Sequence, residues 1–148
     1  MEQKRKQIWS WAIYDFANSS FAVIVVAFVF AVYFKKVVAQ NLPVGDLYWS
    51  LSIAIAMTVV AILNPILGAA ADFRSNKKSF LFFFSLLSIS ATALLYFSTE
   101  GMILYAMVVF ILANIGFQIS LGFYDAFLPE IVPPEEYNKI SSLGYAVG

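Results

Sequence analysis

The sequence Asn64-Pro65-Ile66-Leu67-Gly68-Ala69-Ala70-Ala71-Asp72-Phe73-Arg74-Ser75-Asn76-Lys77-Lys78 closes a long apolar run with a short basic turn. Apolar residues run almost unbroken from Leu47 to Ala71. Asp72, Arg74, Lys77 and Lys78 then fall within seven positions, and a second apolar run opens at Phe80. The pattern predicts two membrane-crossing helices joined by a tight loop. Basic residues in short loops are retained on the cytoplasmic side during insertion, so this turn is expected to be internal.

Composition agrees with that placement. Of 148 residues, 61% are hydrophobic and 12% charged, and the mean hydropathy is +0.82, too little polar surface to coat a soluble globule. A helix needs about 20 mainly apolar residues to cross the hydrocarbon core. Four runs satisfy this, at about 8–34, 47–71, 80–98 and 102–128. Uninterrupted runs without period-two alternation exclude a membrane β-barrel. The fold class is therefore all-α, a polytopic transmembrane helical bundle over 1–148. Net charge is zero, which gives a nucleic-acid partner no electrostatic support. With no Cys and no His, disulfides, thiolate metal sites and the commonest general base are absent, so the sequence calls for no cofactor or metal and argues against an enzyme.

The remaining topology is counted from the basic turn. Lys4, Arg5 and Lys6 precede a first run too long for a secretory signal, so the N-terminus is expected to be cytosolic and the span uncleaved. Trp9 and Trp11 are expected at the cytoplasmic interface. The loop from Val37 to Leu47 is then external. In the second span Pro65 removes a backbone hydrogen bond, and Ala54, Ala61 and Gly68, seven apart, suit a tightly apposed helix. The third span, rich in Phe and Leu, is expected to be the most lipid-exposed. Thr99-Glu100-Gly101 turns the chain back, and Pro129, Pro133 and Pro134 end the fourth span. Pro134 with Glu135 and Glu136 has the chemistry of a helix start, so a fifth helix is expected to begin at about 134–141. It stops a few residues into an apolar segment, and the chain is read as part of a longer protein. Lys4, Arg5, Lys6, Arg74, Lys77, Lys78 and Lys139 all fall inside, against Lys35 and Lys36 outside.

Function is sought where polarity costs most. A carboxylate at the centre of a membrane helix costs about 2.5–3.5 kcal/mol on insertion scales, several times what one Leu returns. Asp15, Asn18, Ser19 and Ala22 follow the spacing of one helical face. In the fourth span Asn114, Gln118 and Asp125 lie four and seven apart, also on one face. Two polar stripes in apolar helices point to a shared aqueous path, with Asp15, Asn18, Asn114, Gln118 and Asp125 as its candidate residues. Structural alternatives stand beside this. Asp15 sits two turns from the helix start, where water or a lysine is in reach. Asp125 lies close to Pro129 and the cytosol, and Asn114 and Gln118 suit interhelical hydrogen bonding equally well.

Gly68 to Lys78 resembles the loop motif between the second and third spans of the major facilitator superfamily: a glycine, an aspartate four later, then a basic cluster. Phe73, Ser75 and Asn76 stand where a basic residue, glycine and arginine are usual. Trp11-Ala12-Ile13-Tyr14-Asp15-Phe16-Ala17-Asn18-Ser19-Ser20-Phe21, Asp125-Ala126-Phe127-Leu128-Pro129-Glu130 and Ser142-Leu143-Gly144-Tyr145-Ala146 are similar to the vacuole-effluxer branch, which includes amino-acid exporters. The resemblance implies the first four spans and the start of the fifth of a longer transporter. The first and fourth spans would line its cavity, and Gly68, Asp72, Arg74, Lys77 and Lys78 would form a conformational gate loop. The fourth span has no arginine, so the superfamily's antiport motif is absent and coupling stays open.

The expected function is secondary active transport of small solutes such as amino acids, by alternating access. Its partners would be the lipid bilayer, the solute and the C-terminal remainder of the transporter, and its location the cytoplasmic (inner) membrane if the source is prokaryotic. A non-transporting membrane scaffold or assembly protein is the alternative. An intramembrane enzyme is disfavoured by the missing acid–base set.

Overall fold

A computed structural model describes residues 2–74 and 76–147, side chains at Gln3, Arg74, Leu143, Tyr145 and Val147 excepted. Helix α1 begins as Glu2–Ser20, widens into π-helical Phe21–Phe28, returns to α-helix over Val29–Tyr33 and ends in a second wide turn, Phe34–Val38. α2 is Gly45–Arg74, and α3 is Lys77–Leu94 with a 3-10 extension Leu95–Phe97. α4 is Ile103–Asp125, followed by the short α5, Leu128–Ile131. After a 3-10 turn at Pro134–Glu136, the chain ends in α6, Tyr137–Val147.

Among the described residues, four stretches are long and apolar enough to cross a bilayer: Lys4–Val38, Gly45–Phe73, Lys77–Phe97 and Ile103–Ile131. Each runs past the apolar run at one end or both, because polar and charged residues prolong a helix into the interface without cost to the hydrocarbon core. The loop after α1 is correspondingly shorter than 37–47. It turns at Gln40 and Asn41, which adopt φ of +52° and +55°.

α4 is the centre of the arrangement. Within its 18-residue apolar core 61% is buried, against 28% for the corresponding stretch of α1, 17% for α3 and 11% for α2. It packs along both α2 and α3, which scarcely touch each other. Among the spans α2, rather than the Phe-rich α3, is thus the least covered by this chain. The reason is Gly116. A Cβ there would come 2.8 Å from Phe84 O and 2.8 Å from Ser88 N, so the α3 backbone lies directly on α4. The small-residue stripe of α2 has no such role here. Ala54 and Ala61 are exposed and nothing lies within 4 Å of a Cβ on Gly68. Ala56, Val60 and Ala71 meet Ile115, Ile119 and Phe123 of α4 instead. Pro65 is accommodated within the continuous α2.

At the end of the bundle away from the basic turn an aromatic cluster joins α1, α2 and α4. Trp49 lies 4.4 Å from Phe110 between ring centroids and 5.5 Å from Phe34. Tyr33 donates to Ser98 O at 2.8 Å, and Gly101 N–H to Val38 O at 3.0 Å, which ties α1 to the turn between α3 and α4. Gly101 occupies φ +78°, a conformation other residues rarely adopt.

Candidate functional site

The helical periodicity of α1 brings Asp15, Asn18, Ser19 and Ala22 to one wall of a cavity of about 420 Å³. Phe117 and Asp125 of α4 form the facing wall, and Ser141 reaches it from α6. Asp15, Asn18 and Ser19 are half-buried while Asp125 is exposed, so one carboxylate lies within the cleft and the other near its mouth. No basic side chain is among the described lining residues. Two acids and an amide without a counter-cation make a site suited to an ammonium group, a cation or a proton.

Aromatic packing fixes the end nearer the N-terminus. The Trp11 indole N–H donates to Tyr124 O at 3.2 Å, and the two rings stack with centroids 4.5 Å apart and planes at 13°. Tyr14 also stacks on Tyr124 at 5.2 Å, and its hydroxyl is 2.8 Å from Ser85 Oγ. Trp11 is therefore buried in the bundle, unlike Trp9, which is 47% exposed as an interfacial anchor would be. Phe21 of α1 packs against Phe117 at 4.7 Å, beside the polar wall.

Asn114 and Gln118 do not join the cavity lining. Asn114 lies three residues before Phe117 on the same face of α4. It is 1% exposed, and neither its amide nitrogen nor its amide oxygen has a hydrogen-bond partner among the described residues. A buried primary amide with nothing to bond is costly, typically about 1–3 kcal/mol. Gln118 is half-buried beside it on α4. The sequence pattern thus placed three of its five path candidates, Asp15, Asn18 and Asp125, around one space, and the other two apart from it.

The turn between α2 and α3 forms a second constellation. Lys77 Nζ lies 3.0 Å from Asp72 Oδ1 and 2.8 Å from Glu130 Oε1, so one ammonium joins the end of α2, the start of α3 and α5. A cavity of about 400 Å³ surrounds this bridge, with Asn76, Lys78 and Phe127 in its walls. Gly68 and Asn64 line a neighbouring space of about 280 Å³ with Asp72 and Lys77. Lys78 makes no ion pair with a described residue. The Arg74 side chain lies outside the described residues. Glu130 was not singled out from sequence. Its signal was there, an acid directly after Pro129 at the membrane end that carries the basic turn.

Comparison with known proteins adds to this geometry. The family described as "Vacuole effluxer Atg22 like" matches residues 47–143. The chain is 34% identical over 151 residues to an uncharacterised MFS-type transporter, YxiO, of Bacillus subtilis (strain 168), an alignment that covers 100% of this chain and 35% of the relative. The chain thus spans about a third of the length of that curated relative. No solved structure matches it.

Proposed function

The chain belongs to the Atg22-like vacuole effluxer family of the major facilitator superfamily, and on that footing we propose that it supplies the cavity-lining spans of a secondary active transporter. The reading covers efflux or exchange of small solutes bearing an ammonium group, amino acids foremost, by alternating access in a cytoplasmic membrane, with the N-terminus cytosolic. Asp15 is assigned to the solute or coupling proton, Asn18 to its polar contacts and Asp125 to the cavity mouth. Asn114 and Gln118 belong to a stage of the cycle in which the Phe21–Phe117 contact opens. The Asp72–Lys77–Glu130 bridge is assigned to conformational control, since it joins the ends of helices that move relative to one another in a rocking bundle.

One observation supports this reading above the others: the acid-bearing faces of α1 and α4 border a single cavity with no basic residue among its described lining. A scaffold gains nothing from keeping the half-buried, unneutralised Asp15 carboxylate at a helix interface, where it carries a desolvation penalty. The test is flux of radiolabelled amino acids in proteoliposomes made from the complete native protein. Saturable flux that a pH gradient or a counter-substrate accelerates is expected. A folded, correctly inserted protein with no flux across the amino acids would favour the scaffold instead.

A further inference from the structure

The wide segment of α1 leaves a backbone carbonyl without a donor. Val29 N–H bonds Ile24 O, five residues back, while Phe34 N–H bonds Phe30 O, four back, and shares itself with Ala31 O. Between the first bond and the second lie five carbonyls, Val25 to Val29, and four N–H groups, Phe30 to Tyr33. At least one of these carbonyls therefore has no N–H of its own. The distortion centres on Phe28, whose φ of −122° and ψ of −75° leave the helical region. The hydrocarbon core offers no donor, so such a carbonyl has to be satisfied from within the bundle.

Asn114 stands level with that segment. Phe21 packs on Phe117 at 4.7 Å and Phe30 on Phe110 at 6.3 Å, so α1 and α4 pass one another antiparallel between two aromatic contacts. A step of nine residues along α1 matches a step of seven along α4, because a wide turn advances less per residue. Phe110, Asn114 and Phe117, spaced four and three apart, share the face of α4 that meets α1, and Val25 joins the buried cluster containing Phe110 and Ala113. On this face Asn114 is 1% exposed, and neither amide atom has a hydrogen-bond partner among the described residues or surface that a water could touch. The described helices alone produce this enclosure, and further chain could only add to it.

An amide with free donors and a carbonyl with no donor thus lie at one depth of the α1–α4 contact. A residue kept only for packing would be apolar here, as Val25, Phe110 and Ala113 are. One hydrogen bond from Asn114 Nδ2 to the surplus carbonyl satisfies both groups, and it requires α1 to turn or withdraw at the Phe21–Phe117 contact.

We propose that Asn114 is a positioning residue for α1: when Phe21 parts from Phe117, its amide N–H bonds the surplus carbonyl between Val25 and Val29. The packing described here and the opened one are then alternatives in which that bond is broken or made. The proposal rests on the reading that this contact opens during the transport cycle, and it assigns Asn114 to the backbone of α1 in place of the solute. A hydrogen bond between membrane helices shifts such an equilibrium about threefold to twentyfold.

Fluorine NMR of the complete protein in nanodiscs, with 4-trifluoromethylphenylalanine in place of Phe21 and no amino acid added, tests this. Separate packed and open resonances are expected. Asn114→Leu and Asn114→Ala differ in volume but both lack the amide, so each should lower the open-to-packed ratio about threefold to twentyfold. With both resonances present, a ratio that the two variants leave unchanged, raise, or move in opposite directions would overturn this proposal alone. So would a decrease that appears only after an amino acid is added, which would make Asn114 a solute contact. A single packed resonance in every condition, amino acid included, would remove the opening itself and overturn both readings. In a cryo-electron microscopy reconstruction of the open state, Asn114 Nδ2 is expected within about 3.2 Å of one carbonyl between Val25 and Val29, and any other partner for it would overturn the assignment.

Discussion

Gly144 lies flat against Trp11: a Cβ on Gly144 would come 2.6 Å from the indole Cζ3 and 3.1 Å from Cη2, with Asp15 Oδ2 at 3.6 Å. The indole cannot yield easily, because it is stacked on Tyr124 and hydrogen-bonded to the Tyr124 carbonyl. Gly144→Ala is therefore expected to push α6 off α1 and to destabilise the bundle by about 1–3 kcal/mol, the usual cost of overpacking. Thermal unfolding in detergent measures it. Gly68→Ala is the control: its Cβ meets nothing within 4 Å, and alanine is the better helix former, so the melting temperature should hold or rise.

Gly116 allows less relief than Gly144, because the atoms its Cβ would strike, Phe84 O and Ser88 N, belong to the backbone of α3. Gly116→Ala should lower the melting temperature more than Gly144→Ala. A smaller effect would mean that α3 slides on α4 at little cost.

The bridge through Lys77 predicts a kinetic effect. Its side chain is 23% exposed, but Asp72 and Glu130 are 66% and 51% exposed, so its contribution to stability is small, about 0–1 kcal/mol. Asp72→Asn and Glu130→Gln are each expected to slow turnover more than they weaken equilibrium solute binding. Because both acids act on one ammonium, the double variant should lose less than the product of the single losses. A large loss of affinity at unchanged turnover would contradict the assignment.

Asp15 is tested by two substitutions that separate charge from packing. Asp15→Asn keeps size and hydrogen bonding, so insertion should survive while transport fails. Asp15→Leu removes a membrane penalty of a few kcal/mol and should insert at least as well, also without transport. Normal flux in both, at normal expression, would reduce Asp15 to an interfacial residue. Flux in Asp15→Asn with misassembly of Asp15→Leu would make it structural.

The orientation is open to direct labelling, since the chain has no cysteine of its own. A cysteine at Asn41 should react with an impermeant reagent in intact cells, and one at Asn76 only after permeabilisation. The opposite pattern would reverse the topology.

Much of this organisation was legible in the sequence, because hydropathy and the helical period report the same thing, the side of a helix that avoids lipid. Asp15, Asn18 and Asp125 were placed by that period alone, and the four apolar runs became the four long helices. What escaped were contacts between helices. Trp11 looks identical in sequence whether it anchors at an interface or stacks on Tyr124, since both need an indole at that depth. Gly116 carried no repeat to announce it, whereas Ala54, Ala61 and Gly68 announced a stripe that no described helix uses. Asn114 fell on the expected face but at a height where Phe117 ends the cavity.

The wide turns of α1 bear on how its two halves are matched. Val29 N–H bonds Ile24 O, five residues back, as Ala39 N–H bonds Phe34 O near the helix end. Each such turn consumes more residues than an α-turn, so the phase of the outer half is offset from that of the inner half. That offset lets Asp15 and Asn18 face the cavity while Phe30 and Phe34 meet Trp49. In a uniform α-helix one added or missing residue rotates everything beyond it by about 100°. Phe21–Phe28 thus works as a gearing between a polar wall and an aromatic socket. It makes the residue count of this segment, beside the contacts of Phe21 and Ala22, a quantity that sequence change is not free to alter.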